Sequence, residues 1–160
     1  MAAAVAVATD TTELGCVMIP VGDTHLLLPN VSVAEIVPWR RIKPWDGAPA
    51  WCLGLLGWRG ETVPVIRFEL LNGAAVPDTT GAGRCIVVMN RARSRRGRPF
   101  YAFAADGLPR LLRLSNEDLG NKPVRLGPAE TAAVKVGTEP AIIPNLSFVE
   151  DELEKLPANP

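Results

Sequence analysis

The chain has 160 residues, 17 Lys and Arg against 17 Asp and Glu, no formal net charge at neutral pH, and 48% apolar residues. That balance lacks the basic footprint of a general nucleic-acid or anionic-membrane binder, and the apolar share can supply a core. One histidine, His25, and three cysteines far apart in sequence, Cys16, Cys52 and Cys85, leave no two-histidine metal motif, zinc knuckle or disulfide framework. Neither a metal nor a cofactor is expected, and a reducing, cytoplasmic setting is the simpler reading. No apolar run reaches the roughly 18 residues of a membrane span, so direct membrane insertion is not expected.

In chain order, residues 1–13 read as a flexible arm. Apolar bursts of strand length follow at 14–20, 25–28, 31–37, 53–58, 62–68, 84–89, 100–104 and 108–114, with weaker ones at 132–136 and 141–143. Turn formers separate them: Gly22-Asp23-Thr24, Pro29-Asn30, Gly73 and residues 78–83. Many short strands at close spacing predict a mostly β fold, a small sandwich or barrel. Pro64 and Pro109 inside the runs predict edge strands or bulges. Two helices are expected: one turn over 68–71 stopped by Asn72-Gly73, and a terminal helix from an Asn145 cap through Glu154. Leu146, Val149 and Leu153 would form one stripe on the latter. The composition shift at 73–83 is the candidate joint between two halves, and residues 154–160 read as a flexible tail.

Several motifs stand out from this background. In the run Cys52-Leu53-Gly54-Leu55-Leu56-Gly57-Trp58-Arg59-Gly60, the glycines suit a core strand with close backbone approach. The arginine between Trp58 and Gly60 is held by a turn beside a large aromatic ring, which favours ion pairing or stacking. Glu35 lies inside an apolar run, where alternation turns it to solvent. Trp39, Trp45, Trp51 and Trp58 form either a small core or an aromatic contact patch. Arg91, Arg93, Arg95, Arg96 and Arg98 crowd eight residues between two strands, as in a solvated hairpin loop. Lacking interleaved aromatics, this loop is a poor nucleic-acid reader, although it can add salt-sensitive attraction to an acidic partner. The cysteines read as buried thiols and His25 as a hairpin side chain.

Taken in order, the strand ending at Pro20, Val33-Ala34-Glu35-Ile36-Val37, Ala48-Pro49, Gly54 to Gly57, Trp58-Arg59-Gly60 and Thr62-Val63-Pro64-Val65-Ile66 resemble the first half of the CheW-like chemotaxis adaptor domain. Residues 85–89, 101–105 with Asp106-Gly107-Leu108, and Ala141-Ile142-Ile143 resemble its second half. The likeness spans residues 14–153. Departures are Arg67 where the family usually carries an aspartate, Gly57 in place of an asparagine, and Pro109 and Pro144 in regular strand regions. The stretch 27–35 is similar to the accessory, ChpC-type adaptors of pilus (twitching) chemosensory systems.

The resemblance implies two small five-stranded SH3-like barrels side by side within 14–153, intertwined, with a short C-terminal helix. It also implies a scaffold without enzymatic activity that couples chemoreceptors to a histidine kinase. The partners would be the kinase's CheA-like regulatory domain and the cytoplasmic tip of a methyl-accepting chemoreceptor, with recruitment to membrane-associated receptor arrays. By the same match Val33 and Glu35 lie at a partner surface, Trp58, Arg59 and Gly60 shape a groove, and Ala102 lines its far wall. Two other readings remain open at the level of residues: a small β-barrel nucleic-acid module using the Arg91–Arg98 loop, and a thiol-dependent enzyme.

Overall fold

The strands are legible because many are apolar on both faces. In β1 (Leu14–Val21) the odd residues Val17, Ile19 and Val21 join one core, while Cys16 and Met18 join another. The same division recurs in β2 (Thr24–Pro29), in β6 (Cys85–Asn90) and in β7 (Phe100–Ala105). Successive side chains of a strand point to opposite faces, so a strand apolar at both parities must be covered on both sides. The computed structural model describes residues 13–74, 84–91, 99–121 and 125–157.

The remaining elements are β3 (Val33–Pro38), β4 (Cys52–Trp58), β5 (Glu61–Ile66), α1 (Phe68–Leu71), β8 (Arg110–Leu114), β9 (Leu119–Asn121), β10 (Glu130–Val136), β11 (Glu139–Pro144) and α2 (Leu146–Glu154). They form a six-stranded sheet, ordered β8-β1-β2-β11-β10-β9, and a five-stranded sheet, ordered β3-β6-β7-β5-β4. The chain leaves the first sheet through a 3-10 turn, Asn30–Ser32, builds the second from β3 to β7, and returns after Asp106. The joint is therefore not at 73–83, because β5 and β6 on either side of that stretch belong to the same sheet.

Each sheet curls until one stretch of chain serves both of its edges. β8 and β9 lie at opposite edges of the first sheet, yet only Ser115 and the 3-10 turn Asn116–Asp118 separate them along the chain. Ser115 N donates to Asp118 Oδ2 at 2.8 Å and Ser115 Oγ donates to the same oxygen at 3.1 Å, fixing the kink. β9 is thus the continuation of β8, which reconciles six strands with the expected five. In the second sheet the chain leaving edge strand β3 reaches the other edge at Lys43. There it exchanges two 2.8 Å backbone hydrogen bonds with Leu55 of β4. Gly54 makes that closure possible: its φ is +139°, and a Cβ there would stand 2.2 Å from the Lys43 carbonyl oxygen. Closure removes exposed edges, the usual solution for small antiparallel sheets.

Pro64 departs from the edge-strand expectation, since β5 is paired on both sides. Its pairing with β7 begins only at Val65, so the missing N–H falls beyond the shared ladder. Pro109 fits the expectation, directly preceding edge strand β8.

The largest core lies between the two barrels and joins residues of β1 and β2 to Phe68, Val87, Tyr101 and Phe103. α2 covers it with Val149 and Leu153, and Leu146 packs alongside, the stripe read from the sequence. Asn145 caps this helix, its Oδ1 accepting from Phe148 N at 3.1 Å. Leu156, placed by sequence in a flexible tail, packs against this core. Glu150 is fully buried on α2. The Arg91 side chain is only 6% exposed: its guanidinium reaches Glu154 at 2.7 Å and the Glu150 carbonyl at 3.4 Å. The first residue of the arginine run is a strut under the terminal helix. Arg93, Arg95, Arg96 and Arg98 lie outside the described residues.

An ion pair with one buried partner fastens the barrels at their second crossing. Arg67, whose side chain is only 4% exposed, places Nη1 2.7 Å from Asp106 Oδ1 and 3.7 Å from Glu69. Asp106 Oδ2 also accepts from Gly22 N in the β1–β2 turn, and Asp106 N donates to the Pro20 carbonyl at 2.9 Å. Burial pushes the Glu69 carboxyl up, with Arg67 opposing that shift. Removing Asp106 takes the nearest carboxylate away from the buried Arg67 guanidinium, whereas removing both partners of an ion pair is often tolerated. Asp106→Ala is expected to lose roughly 2 kcal/mol, read as a lower urea midpoint. An Arg67→Met/Asp106→Ala double variant should recover most of it. A single variant as stable as the parent contradicts the clamp.

Candidate functional site

One open end of the second barrel gathers the polar groups singled out in the sequence. Arg59 and Gly60 form the two-residue connection between β4 and β5, with Trp58 opposite Glu61. Their φ angles are +47° and +75°, both left-handed, the signature of the turn whose twist matches a hairpin. Gly60 occupies this region without strain, whereas an arginine there costs about 1 kcal/mol. Local propensity favours Asn or Gly at position 59, so the arginine is held against it.

Glu35 organises the cluster. Its Oε1 accepts from Trp58 Nε1 at 2.9 Å and pairs with Arg59 Nη2 at 2.9 Å. The Arg59 guanidinium carbon stands 4.9 Å from the centre of the Trp58 ring, so the arginine both pairs and stacks, as its position in sequence suggested. Phe100 meets the same indole edge-on at 4.8 Å and 70°. Glu35 does not simply turn to solvent: a bulge between Val33 and Glu35 breaks the alternation, so Val33 opposes Met89 and Glu35 opposes Val88. Its side chain is 38% exposed, and that of Arg59 is 67% exposed. A carboxylate, an indole N–H and a guanidinium thus sit locked together with one face open. Such an arrangement offers directed charge and a rigid aromatic support.

The other expected site residues divide. Val33 is half-buried and packs on the inter-barrel core. Ala102 is corrected: it is 0% exposed, paired with Val88 on one side and Val65 on the other, and belongs to the core of the second barrel. A fully enclosed methyl has no surface to offer a partner. Two residues the sequence did not single out border the site. Ile36 is a partly exposed apolar side chain on β3, and Arg40 reaches the Gly57 carbonyl at 3.5 Å. A basic residue two positions after the strand-ending Pro38 is the only signal for Arg40, and it is a weak one.

The family model for the CheW-like domain matches residues 15–152. The chain belongs to the CheW-like domain family. It is similar to the chemotaxis protein CheW of Rhizobium meliloti (strain 1021), 26% identical over 103 residues, which are 64% of this chain. The aligned part spans 63% of that relative's length. Among solved structures it is similar to the scaffolding protein TtCheW from Thermoanaerobacter tengcongensis. The TM-score is 0.67 at 15% identity, over 83% of this chain and 89% of that one. The common fold is the pair of SH3-like barrels described above.

Within this CheW-like domain the remaining candidates other than Trp39 lie away from the cluster. The tryptophans split into two cores: Trp39 packs beside Trp58, while Trp45 and Trp51 pack with Cys52, Leu55 and Leu156. Cys16 lines a shallow cleft of about 220 Å³ on the first barrel with Leu111, Leu112 and Arg113. Burial pushes the Cys16 and Cys85 thiols up, away from thiolate formation at neutral pH. His25 lies opposite Pro20, near Glu139 at 3.8 Å, and is several positions along the β1–β2 ladder from Cys16. Among the described residues, no group of three His, Cys, Asp or Glu could hold a metal, and no helix is long and apolar enough to cross a membrane.

Proposed function

We propose that this CheW-like chain is a non-enzymatic signalling adaptor that couples a chemoreceptor to a histidine kinase, in a chemotaxis or twitching-motility pathway. The observation that carries the reading is the Glu35–Trp58–Arg59 cluster. It places a strained, exposed, doubly held arginine at a barrel end, a device suited to recognition. Support also comes from the family, from a relative named a chemotaxis protein and from a fold neighbour named a scaffolding protein. In this reading the barrel end with Val33 and Glu35 meets the kinase's regulatory domain. The turn Trp58-Arg59-Gly60 meets the receptor's cytoplasmic tip. Function is cytoplasmic, at membrane-associated receptor arrays. The likeness of residues 27–35 to pilus-type adaptors favours a twitching system. Hot-spot anchors of such reversible contacts are typically Trp and Arg in partly desolvated surroundings.

The experiment is co-purification of the folded chain with the kinase regulatory domain and with the receptor's cytoplasmic fragment from the same genome. Retention of both supports the adaptor. A folded sample that retains neither overturns it.

A further inference from the structure

One guanidinium serves two carboxylates where the chain crosses back to the first barrel. Arg67, directly after β5, gives its short contact to Asp106, with Nη1 2.7 Å from Oδ1. Glu69, in the first turn of α1, is left with the longer one, Oε2 standing 3.7 Å from the same nitrogen. The charges of Arg67 and Asp106 already cancel, so a second carboxylate finds little positive charge to offset its loss of water. That loss is real. The Glu69 side chain is only 18% exposed, and its Oε1 is buried with no hydrogen-bond partner.

The neighbours of Glu69 add to the cost. Its side chain lies over the β1–β2 turn, with Cγ and Oε2 each 3.3 Å from the place a Cβ would take at Gly22. Glu69 therefore feels two further carboxylates, Asp106 of the crossing and Asp23 of that turn. Burial raises the Glu69 carboxyl above its ordinary 4.5; its own backbone N–H and Arg67 oppose the rise, and Asp106 and Asp23 reinforce it. The groups it repels are the ones that hold the crossing, since Asp106 accepts from Gly22 N and donates to the Pro20 carbonyl.

We propose that Glu69 is a proton-operated latch between the barrels. Ionised, it repels Asp106 and the Asp23 turn and loosens the crossing; protonated, it leaves Arg67 wholly to Asp106 and the crossing tightens. A carboxyl that holds its proton more tightly folded than unfolded stabilises the fold at low pH. That gain is lost as the pH rises through its folded value. The latch is thus loose near neutrality and closes on mild acidification, whatever partner the chain serves.

Amide hydrogen exchange on the full chain tests it, with Gly22 and Asp106 as reporters because their N–H groups donate across the crossing. Protection of these amides in Glu69→Gln and Glu69→Met is divided by that in the parent, from about pH 7.5 down to about pH 5. The ratio cancels every group that parent and variant share. It should exceed about twofold near neutrality and fall towards one as the proton binds. Glu69→Met keeps the test open should a Gln amide fit poorly at the buried Oε1 position. The latch stands if either variant shows both the gain and its decline with acid. It is overturned if neither variant is better protected than the parent at neutral pH, or if the gain does not change with pH.

Discussion

Arg59→Glu should lower coupling between receptor and kinase on the order of 30-fold or more, while the far-ultraviolet spectrum and melting temperature change little. The two halves of that expectation have separate causes. The Glu35–Arg59 pair is solvent-exposed, and exposed pairs contribute about 0–1 kcal/mol to folding. Truncating an anchor of an interface commonly costs about 2 kcal/mol or more of binding, and reversing its charge adds repulsion from Glu35 and from any acidic partner. Arg59→Asn sharpens the test. Asn tolerates the left-handed φ of +47° better than Arg, so the hairpin should be stabilised by about 1 kcal/mol while coupling still falls. Kinase activity in reconstituted receptor–kinase–adaptor mixtures is the readout. Full coupling by a folded Arg59→Glu variant removes Arg59 from the mechanism.

Gly54→Ala should produce the largest loss of stability of any Gly→Ala change among the described residues. Two penalties coincide. A φ of +139° is open to glycine alone, and the new Cβ would lie 2.2 Å from a backbone oxygen that cannot rotate aside. Relief requires Lys43 to move, which breaks its paired hydrogen bonds with Leu55 and opens the second barrel beside Trp45, Cys52 and Leu55. The expected cost is about 4 kcal/mol, at the upper end for one substitution. For a domain of this size that lowers the melting temperature by roughly 8–16 °C. At Gly57 no heavy atom stands within 4 Å of the place a Cβ would take. Calorimetry on Gly54→Ala and Gly57→Ala side by side is the clean comparison, since the same change three residues apart should be severe in one and harmless in the other. Equal melting temperatures would refute the distinction drawn between the two glycines.

Much of the fold was legible because its signals are local. Asn145 announced its helix through cap chemistry that needs only three following residues, and Asn72-Gly73 closed the short one in the same way. The strand bursts were visible because burial on both faces leaves nearly unbroken apolar runs. The same property hid the topology. When both parities are apolar, alternation cannot say which face meets which sheet, so the crossings at Asn30–Ser32 and after Asp106 looked like ordinary turns within one sheet. The Gly-rich stretch at 73–83 drew attention that belonged elsewhere.

At the site, Arg59 could be read from turn chemistry because its neighbours in sequence are its neighbours in space. Glu35 could not, because its partners arrive from 23 residues away and a bulge re-aims it. Ala102 was misjudged for a related reason: a small residue looks alike on a surface and in a tight core. The Arg67–Asp106 clamp spans 39 residues, and only the folded chain shows that Arg67 is enclosed.

The order of strands has a consequence for how the protein is made. The second barrel is one uninterrupted stretch of chain, so it can close as soon as β7 has left the ribosome. The first barrel cannot. Its opening hairpin emerges early and must wait for β8 to β11 before its open side is sealed. Gly22 and Asp106, which meet in the finished molecule, are 84 residues apart. During that interval the apolar faces of β1 and β2 have only the newly formed second barrel to lean on. The order of synthesis thus makes every strand of the barrel bearing Arg59 available before the other barrel has its closing strands.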